Sequence, residues 1–182
     1  PAAQAPALAR SVATQHWSLR LNKLQASEAL NRPTIAVIPQ GDVISSYKGA
    51  RWSDAAPVLL RNRLLDGFQR DGQVQRLSAD DSNLQADYEL AGELQAFQSE
   101  YRPDGAVEVV IRYDARLVQG RSQRILASKR FEIRQPLAAR EVSAVVAGFG
   151  GASDQLVGQV VSWTVAQATQ AQAQVQAQPK NQ

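Results

Sequence analysis

Histidines, paired carboxylates and glycine-rich turns are where chemistry would sit in this chain, and all are in short supply. His16 is the only histidine, and there is no cysteine. A catalytic imidazole needs a nucleophile or a carboxylate brought against it by the fold, and a metal-bound one needs further ligands. No second histidine and no thiolate exist to help, so His16, beside Trp17 at the start of the first strand, reads as a structural or surface residue. Asp80-Asp81 and Asp104 are loop carboxylates, and Asp80-Asp81 has neither the spacing nor the glycine of a calcium loop. Gly148-Phe149-Gly150-Gly151-Ala152-Ser153 has the glycine content of a phosphate loop. It follows a helical pattern rather than a strand, and no Lys-Ser/Thr pair comes after it. It reads as a helix break with Ser153 capping the next helix. No serine lies in a Gly-x-Ser-x-Gly turn. The expectation is no catalytic residue, no cofactor and no metal, in a domain that binds or assembles.

The charge pattern agrees. Twenty basic and seventeen acidic residues give a net charge of +3. They are interspersed: Arg61, Arg63, Arg112, Arg116, Arg124 and Arg130 alternate with apolar neighbours. A nucleic-acid binder gathers its cations into a patch or stripe, so nucleic acid is not an expected partner. The absence of cysteine excludes disulfides and thiolate metal sites without fixing the compartment. No apolar run reaches the ~20 residues that span a bilayer. The chain starts at Pro1 without an initiator methionine, so it reads as a mature or trimmed form that once carried an export signal.

Hydrophobic periodicity supplies the elements that would position any site. Residues 1–15 are rich in alanine and proline and read as a flexible leader; residues 167–182 are almost pure Ala/Gln and read as a frayed helix or disordered tail. The body is residues 16–166. Trp17, Leu19 and Leu21 alternate as one face of a strand, residues 34–39 form a short buried strand, and residues 43–47 form another. A helix over about 54–70 carries Ala56, Leu60, Leu64 and Phe68 in one stripe and ends at Asp71-Gly72. A strand at 74–77 is followed by a three-stranded meander: 86–96, with a bulge where Phe97 breaks the alternation, then 106–118 and 125–133. Helices are expected at 138–149 and 152–168, separated by Gly150-Gly151. The predicted class is α+β: a mainly antiparallel sheet with about three helices packed on one face.

The segment Arg51-Trp52-Ser53-Asp54-Ala55-Ala56-Pro57 joins a bulky anchor, a helix cap at Ser53 or Asp54 and a first-turn proline. Core packing is the default for Trp52 and for Trp163; the alternative is an apolar surface offered to a partner. If a partner surface exists, Tyr47, Arg51 and Trp52 are its candidates.

These pieces, in order, resemble the ABC-type transport auxiliary lipoprotein component family, which includes the lipoprotein of the paraquat-inducible operon. The matching features are the His16-Trp17-Ser18-Leu19 strand, the Pro33-Thr34-Ile35-Ala36-Val37 strand, and a strand of the Ile/Val-Ser-Ser-Tyr type (Ile44-Ser45-Ser46-Tyr47) leading to Arg51-Trp52. They continue with the helix ending near Phe68, the Tyr88-Glu89-Leu90 to Phe97 strand, and an alanine-rich helix ending near Trp163. The resemblance covers about residues 16–166, and its most specific part is Tyr47 to Trp52. It implies a non-catalytic periplasmic lipoprotein, membrane-anchored through lipid on an N-terminal cysteine and acting with an ABC transporter and an Mce-domain protein. Such systems move lipids or other hydrophobic molecules across the Gram-negative envelope, and some members form rings, so copies of the chain are also expected partners. The outer membrane is the expected anchoring site. The lipobox cysteine is absent from this sequence. Two other readings stand beside this one. One is an adaptor of another outer-membrane or secretion complex. The other is a small hydrolase in which His16 meets a serine and an acid in a concave pocket.

Overall fold

The spine of the molecule is one long strand that takes partners on both edges. A computed structural model describes residues 13–178. In chain order the elements are β1 (Gln15–Leu21), β2 (Gln25–Ala26), β3 (Thr34–Gln40), β4 (Val43–Arg51), α1 (Ala56–Asp71) and β5 (Val74–Ala79). A single 3-10 turn (Asp80–Ser82) leads to β6 (Tyr88–Tyr101), β7 (Val107–Gln119), β8 (Arg124–Pro136) and α2 (Val142–Ala177). The leader, residues 1–12, lies outside the described residues, as do residues 179–182.

β6 pairs along its length with antiparallel β7, which pairs with antiparallel β8. Its other edge receives β1, β2 and β3 one after another, all parallel to it. β3 then pairs with antiparallel β4, and β1 with parallel β5. The meander and the β3–β4 hairpin are therefore antiparallel, as their short turns require. The early strands are parallel because α1 carries the chain back between β4 and β5. The register of β6 shifts between Leu94 and Ala96, the bulge that the Phe97 pattern called for.

Alternation decides which face is buried. Trp17, Leu19 and Leu21 of β1, Leu90 and Leu94 of β6, Ile111 and Tyr113 of β7, and Phe131 and Ile133 of β8 join one core with both helices. α1 contributes Leu60, Leu64 and Phe68, and α2 contributes Phe149, Leu156 and Val160. Gly67 lets the helices touch: a Cβ there would lie 2.2 Å from Val157 Cγ1. The opposite face of the meander is an ion-pair ladder, with Arg112 on Glu132, Arg130 on Asp114, Arg134 on Glu108 and Arg116 on Glu93.

Among the described residues there are two α-helices, not about three. Gly150 and Gly151 do not break α2, which runs unbroken for 36 residues. Each interior glycine costs about 1 kcal/mol against alanine. That cost is outweighed because Val145, Phe149, Ala152 and Leu156 form one buried stripe straight across the pair. Ser153 is accordingly a buried residue inside the helix rather than a cap. The Ala/Gln-rich segment, expected as a frayed helix or a disordered tail, is helical through Ala177; Ala168 is fully buried and Tyr88 Oη donates to Gln172 Oε1 at 2.9 Å.

The start of α1 also differs in detail. The N-cap is Ala55, with no side-chain cap, because the Asp54 carboxylate accepts the Ala55 N–H instead at 2.8 Å. Pro57 does sit in the first turn, and Gly72 closes the helix in the left-handed conformation (φ 76°), donating its N–H to Phe68 O.

Candidate functional site

The three candidate partner residues on the approach to α1 go to different places. Tyr47 is half-buried, and its hydroxyl lies 2.7 Å from Ser99 Oγ. Burial raises the Tyr47 phenol above its ordinary pKa. Arg51 is exposed at the end of β4, where it lines a shallow hollow with Arg32, Pro33 and Thr34. Trp52 is tied down by its backbone, whose N–H donates to Pro33 O at 2.6 Å. Its indole is half-buried and turns onto two phenylalanines that the sequence pattern assigns only to elements.

Those phenylalanines help line a cleft between α1 and α2. Phe97 and Phe149 stack at 4.8 Å, and Trp52 meets them edge-on at 5.9 and 5.1 Å. The bulge in β6 changes the alternation around Ala96 and Phe97, and the α2 stripe delivers Phe149 from above. Leu60 and half-exposed Val146 complete the apolar lining of a cleft of about 380 Å³. Arg63 and Asp66 of α1 stand at its rim, Arg63 paired with Asp154 at 3.3 Å. Trp52 Nε1 is buried without a hydrogen-bond partner. An aromatic floor with a charged rim is suited to holding an apolar side chain or chain segment. Phe97 and Phe149 were visible as apolar positions. Nothing in a linear pattern brings them together with Trp52.

The other sequence candidates have structural places. His16 is exposed, and its backbone carbonyl accepts from Arg76 at 3.0 Å. Asp87 accepts the Ser18 N–H at 2.8 Å and the Ser18 hydroxyl at 3.0 Å. His16 and Asp87 line one shallow pocket, but among the described residues the His16 imidazole makes no hydrogen bond to a serine or a carboxylate. Asp80 fastens two elements, accepting the Lys23 N–H at 2.8 Å and the Arg61 guanidinium at 2.5 Å. Partial burial works against its ionisation, but Lys23 and Arg61 outweigh it, and its pKa falls below the ordinary value. Asp104 accepts the Ala106 N–H in the β6–β7 turn. Among the described residues no group of three or more His, Cys, Asp or Glu is placed to hold a metal ion. Trp163 packs edge-on against Phe131 at 5.6 Å. No described helix is long and apolar enough to cross a membrane.

The domain has two distinct ends. Leu19 pairs with Tyr88, which pairs with Gln119, so Gln15 lies beyond the first residue of β6, beside the β7–β8 turn. α2 finishes at this end, with Thr169 and Gln172 near Gln15 and Tyr88. Phe97 lies nine residues farther along β6, about 30 Å away at ~3.3 Å per residue. The Trp52 cleft and the β3–β4 hairpin are thus displaced toward the opposite end from the start of β1.

The family model for the ABC-type transport auxiliary lipoprotein component matches residues 1–161. The chain belongs to that family. The match starts at the first residue, ahead of the body read from the sequence. A curated relative is an uncharacterized protein, bll6063, of Bradyrhizobium diazoefficiens, 30% identical over 152 residues. The alignment takes in 78% of this chain and only 40% of that protein, so the chain spans well under half the length of this relative. Among solved structures, protein XCC0632 from Xanthomonas campestris, assigned to family DUF330, superposes with a TM-score of 0.85 at 26% identity, covering 90% of this chain and 92% of that one. A PelC dodecamer from Paraburkholderia phytofirmans shares the fold, with a TM-score of 0.52 at 11% identity over 83% of this chain and 89% of that one.

Proposed function

We propose that this domain is a non-catalytic, periplasmic lipoprotein subunit of an Mce-type ABC transport system that moves lipids or other hydrophobic molecules across the Gram-negative envelope. The lipid anchor is ahead of Pro1, in the outer membrane. The observation that carries the reading is the position of the aromatic cleft. Trp52, Phe97 and Phe149 gather far from the end where the N-terminal chain joins the sheet. A domain tethered by its N-terminus then holds this cleft away from its own membrane, toward the Mce-domain protein or the transporter. Arg63 and Asp66 at the rim give register to the contact, and the aromatic floor gives it area.

The test is affinity capture from envelope extracts with the tagged protein, beside a Val146→Arg variant. Val146 is 40% exposed on the cleft wall, so the variant should fold. Capture of an Mce-domain protein and transporter subunits by the wild type, lost with Val146→Arg, supports the reading. Capture of a different envelope complex supports the adaptor alternative. A second copy is the other proposed partner; a PelC of the same fold is a dodecamer, and native mass spectrometry would count the copies here.

A further inference from the structure

Exposed large apolar side chains are not spread evenly. Val43, Ile44 and Val146 lie toward the Trp52 end. Leu84 (58% exposed), Ile125 (56%) and Leu126 (36%) gather at the Gln15 end, around the β7–β8 turn. Ile125 pairs with Val118, which pairs with Glu89, and Leu84 lines a small hollow with Glu89, Gly120 and Gln123.

The same turn carries Arg121 and Arg124, both exposed. Arginines elsewhere on this sheet face have partners: Arg20 meets Glu89, Arg116 meets Glu93 and Arg130 meets Asp114. Among the described residues neither Arg121 nor Arg124 has a carboxylate within 4.0 Å. Nearby acids are occupied, Glu89 by Arg20 and the Gln123 amide, Asp87 by Ser18. Two uncompensated cations beside exposed aliphatic side chains match an interface where anionic headgroups meet acyl chains. The chain upstream of Gln15 leaves from this end.

We infer that the β7–β8 turn rests on an anionic bilayer surface, with Arg121 and Arg124 on the headgroups and Leu84, Ile125 and Leu126 at the acyl boundary. This rests on the lipoprotein reading for its membrane. The contact orients the tethered domain, so that the anchor alone does not decide which way the cleft points.

The test is flotation of the full chain with phosphatidylcholine vesicles, with and without phosphatidylglycerol, over a salt series. The wild type should float only with the anionic vesicles and be released by salt. Arg121→Ser with Arg124→Ser should weaken partitioning about 30-fold, from ~1 kcal/mol per basic residue at such a surface. Leu84→Ser with Ile125→Ser should weaken it as well, while Val43→Ser with Ile44→Ser at the far end should not. All six sites are exposed, and unchanged melting temperatures would confirm folding. Failure of the wild type to float overturns the inference, as does equal flotation of the double-arginine variant. A double-arginine variant that changes only the oligomeric state also overturns it, by assigning the turn to a contact between copies. Flotation and envelope capture report on opposite ends, so either idea can fail alone.

Discussion

Replacing Trp52 by alanine measures how much of its ring belongs to the core. A fully buried Trp→Ala change costs ~3–5 kcal/mol. Trp52 is only half-buried, and its loss enlarges an open cleft that water can enter. It also removes a buried indole N–H that has no acceptor, which returns part of the cost. Against this, two edge-on contacts with Phe97 and Phe149 disappear, each worth ~0.5–1.5 kcal/mol. The net is about 2–3 kcal/mol, a fall in melting temperature of roughly 5–10 °C for a domain of this size. Phe149, at 2% exposure, should cost more, about 3–5 kcal/mol as Phe149→Ala. Thermal denaturation followed by circular dichroism reads both. A Trp52→Ala melting temperature within 2 °C of wild type, about 1 kcal/mol or less, would refute the packing argument. Partner capture lost in that variant would then assign the ring wholly to an interface.

Two further substitutions test particular elements. Gly150→Ala should raise stability by about 0.5–1 kcal/mol, because a Cβ there meets nothing within 4 Å and the residue lies inside a continuous helix; a lower melting temperature would mean that the helix does break there. Asp80→Asn should cost about 1–2 kcal/mol at pH 7 by weakening its bonds to Lys23 and Arg61. The folded pKa of Asp80 is lowered, so its charge stabilises the fold above the unfolded value of about 4 and stops doing so as pH falls through the folded value. The gap between wild type and variant, read from melting temperatures, should therefore narrow toward pH 3. A gap unchanged from pH 7 to pH 3 would remove the electrostatic account.

Much of the fold was readable because apolar periodicity survives folding. Trp17, Leu19 and Leu21 are buried in alternation, the α1 stripe of Leu60, Leu64 and Phe68 is intact, and the 88–136 meander follows its turn signals. One error came from trusting local propensity over packing. Gly150-Gly151 looks like a stop only until Val145, Phe149, Ala152 and Leu156 are seen as one stripe crossing it. The Ala/Gln segment offers little apolar surface, yet Ala168 is small enough to bury and Gln172 finds Tyr88. The parallel pairing of β1, β2 and β3 with β6 was not legible, since no turn links those strands to β6. Of the cleft, Trp52 stands out in the sequence as a bulky anchor ahead of a helix, whereas Phe97 and Phe149 come from elements far apart in the chain. The uncompensated charge of Arg121 and Arg124 was not legible, because compensation of charge is a property of three-dimensional neighbours.

The serial edge of β6 has a consequence for how the molecule is made. Ser18 reaches Asp87, 69 positions later, before the first strand has a neighbour on that side. Until β6 has been synthesised, β1 and β3 lack the neighbour they share, although β3 can already pair with β4 and β1 with β5. The 88–136 ribbon, by contrast, closes through near neighbours in sequence. Acquisition of structure should therefore begin in the second half and recruit the beginning last, since distant loop closure is slow. A polypeptide built this way completes its sheet only after more than half of it has been made.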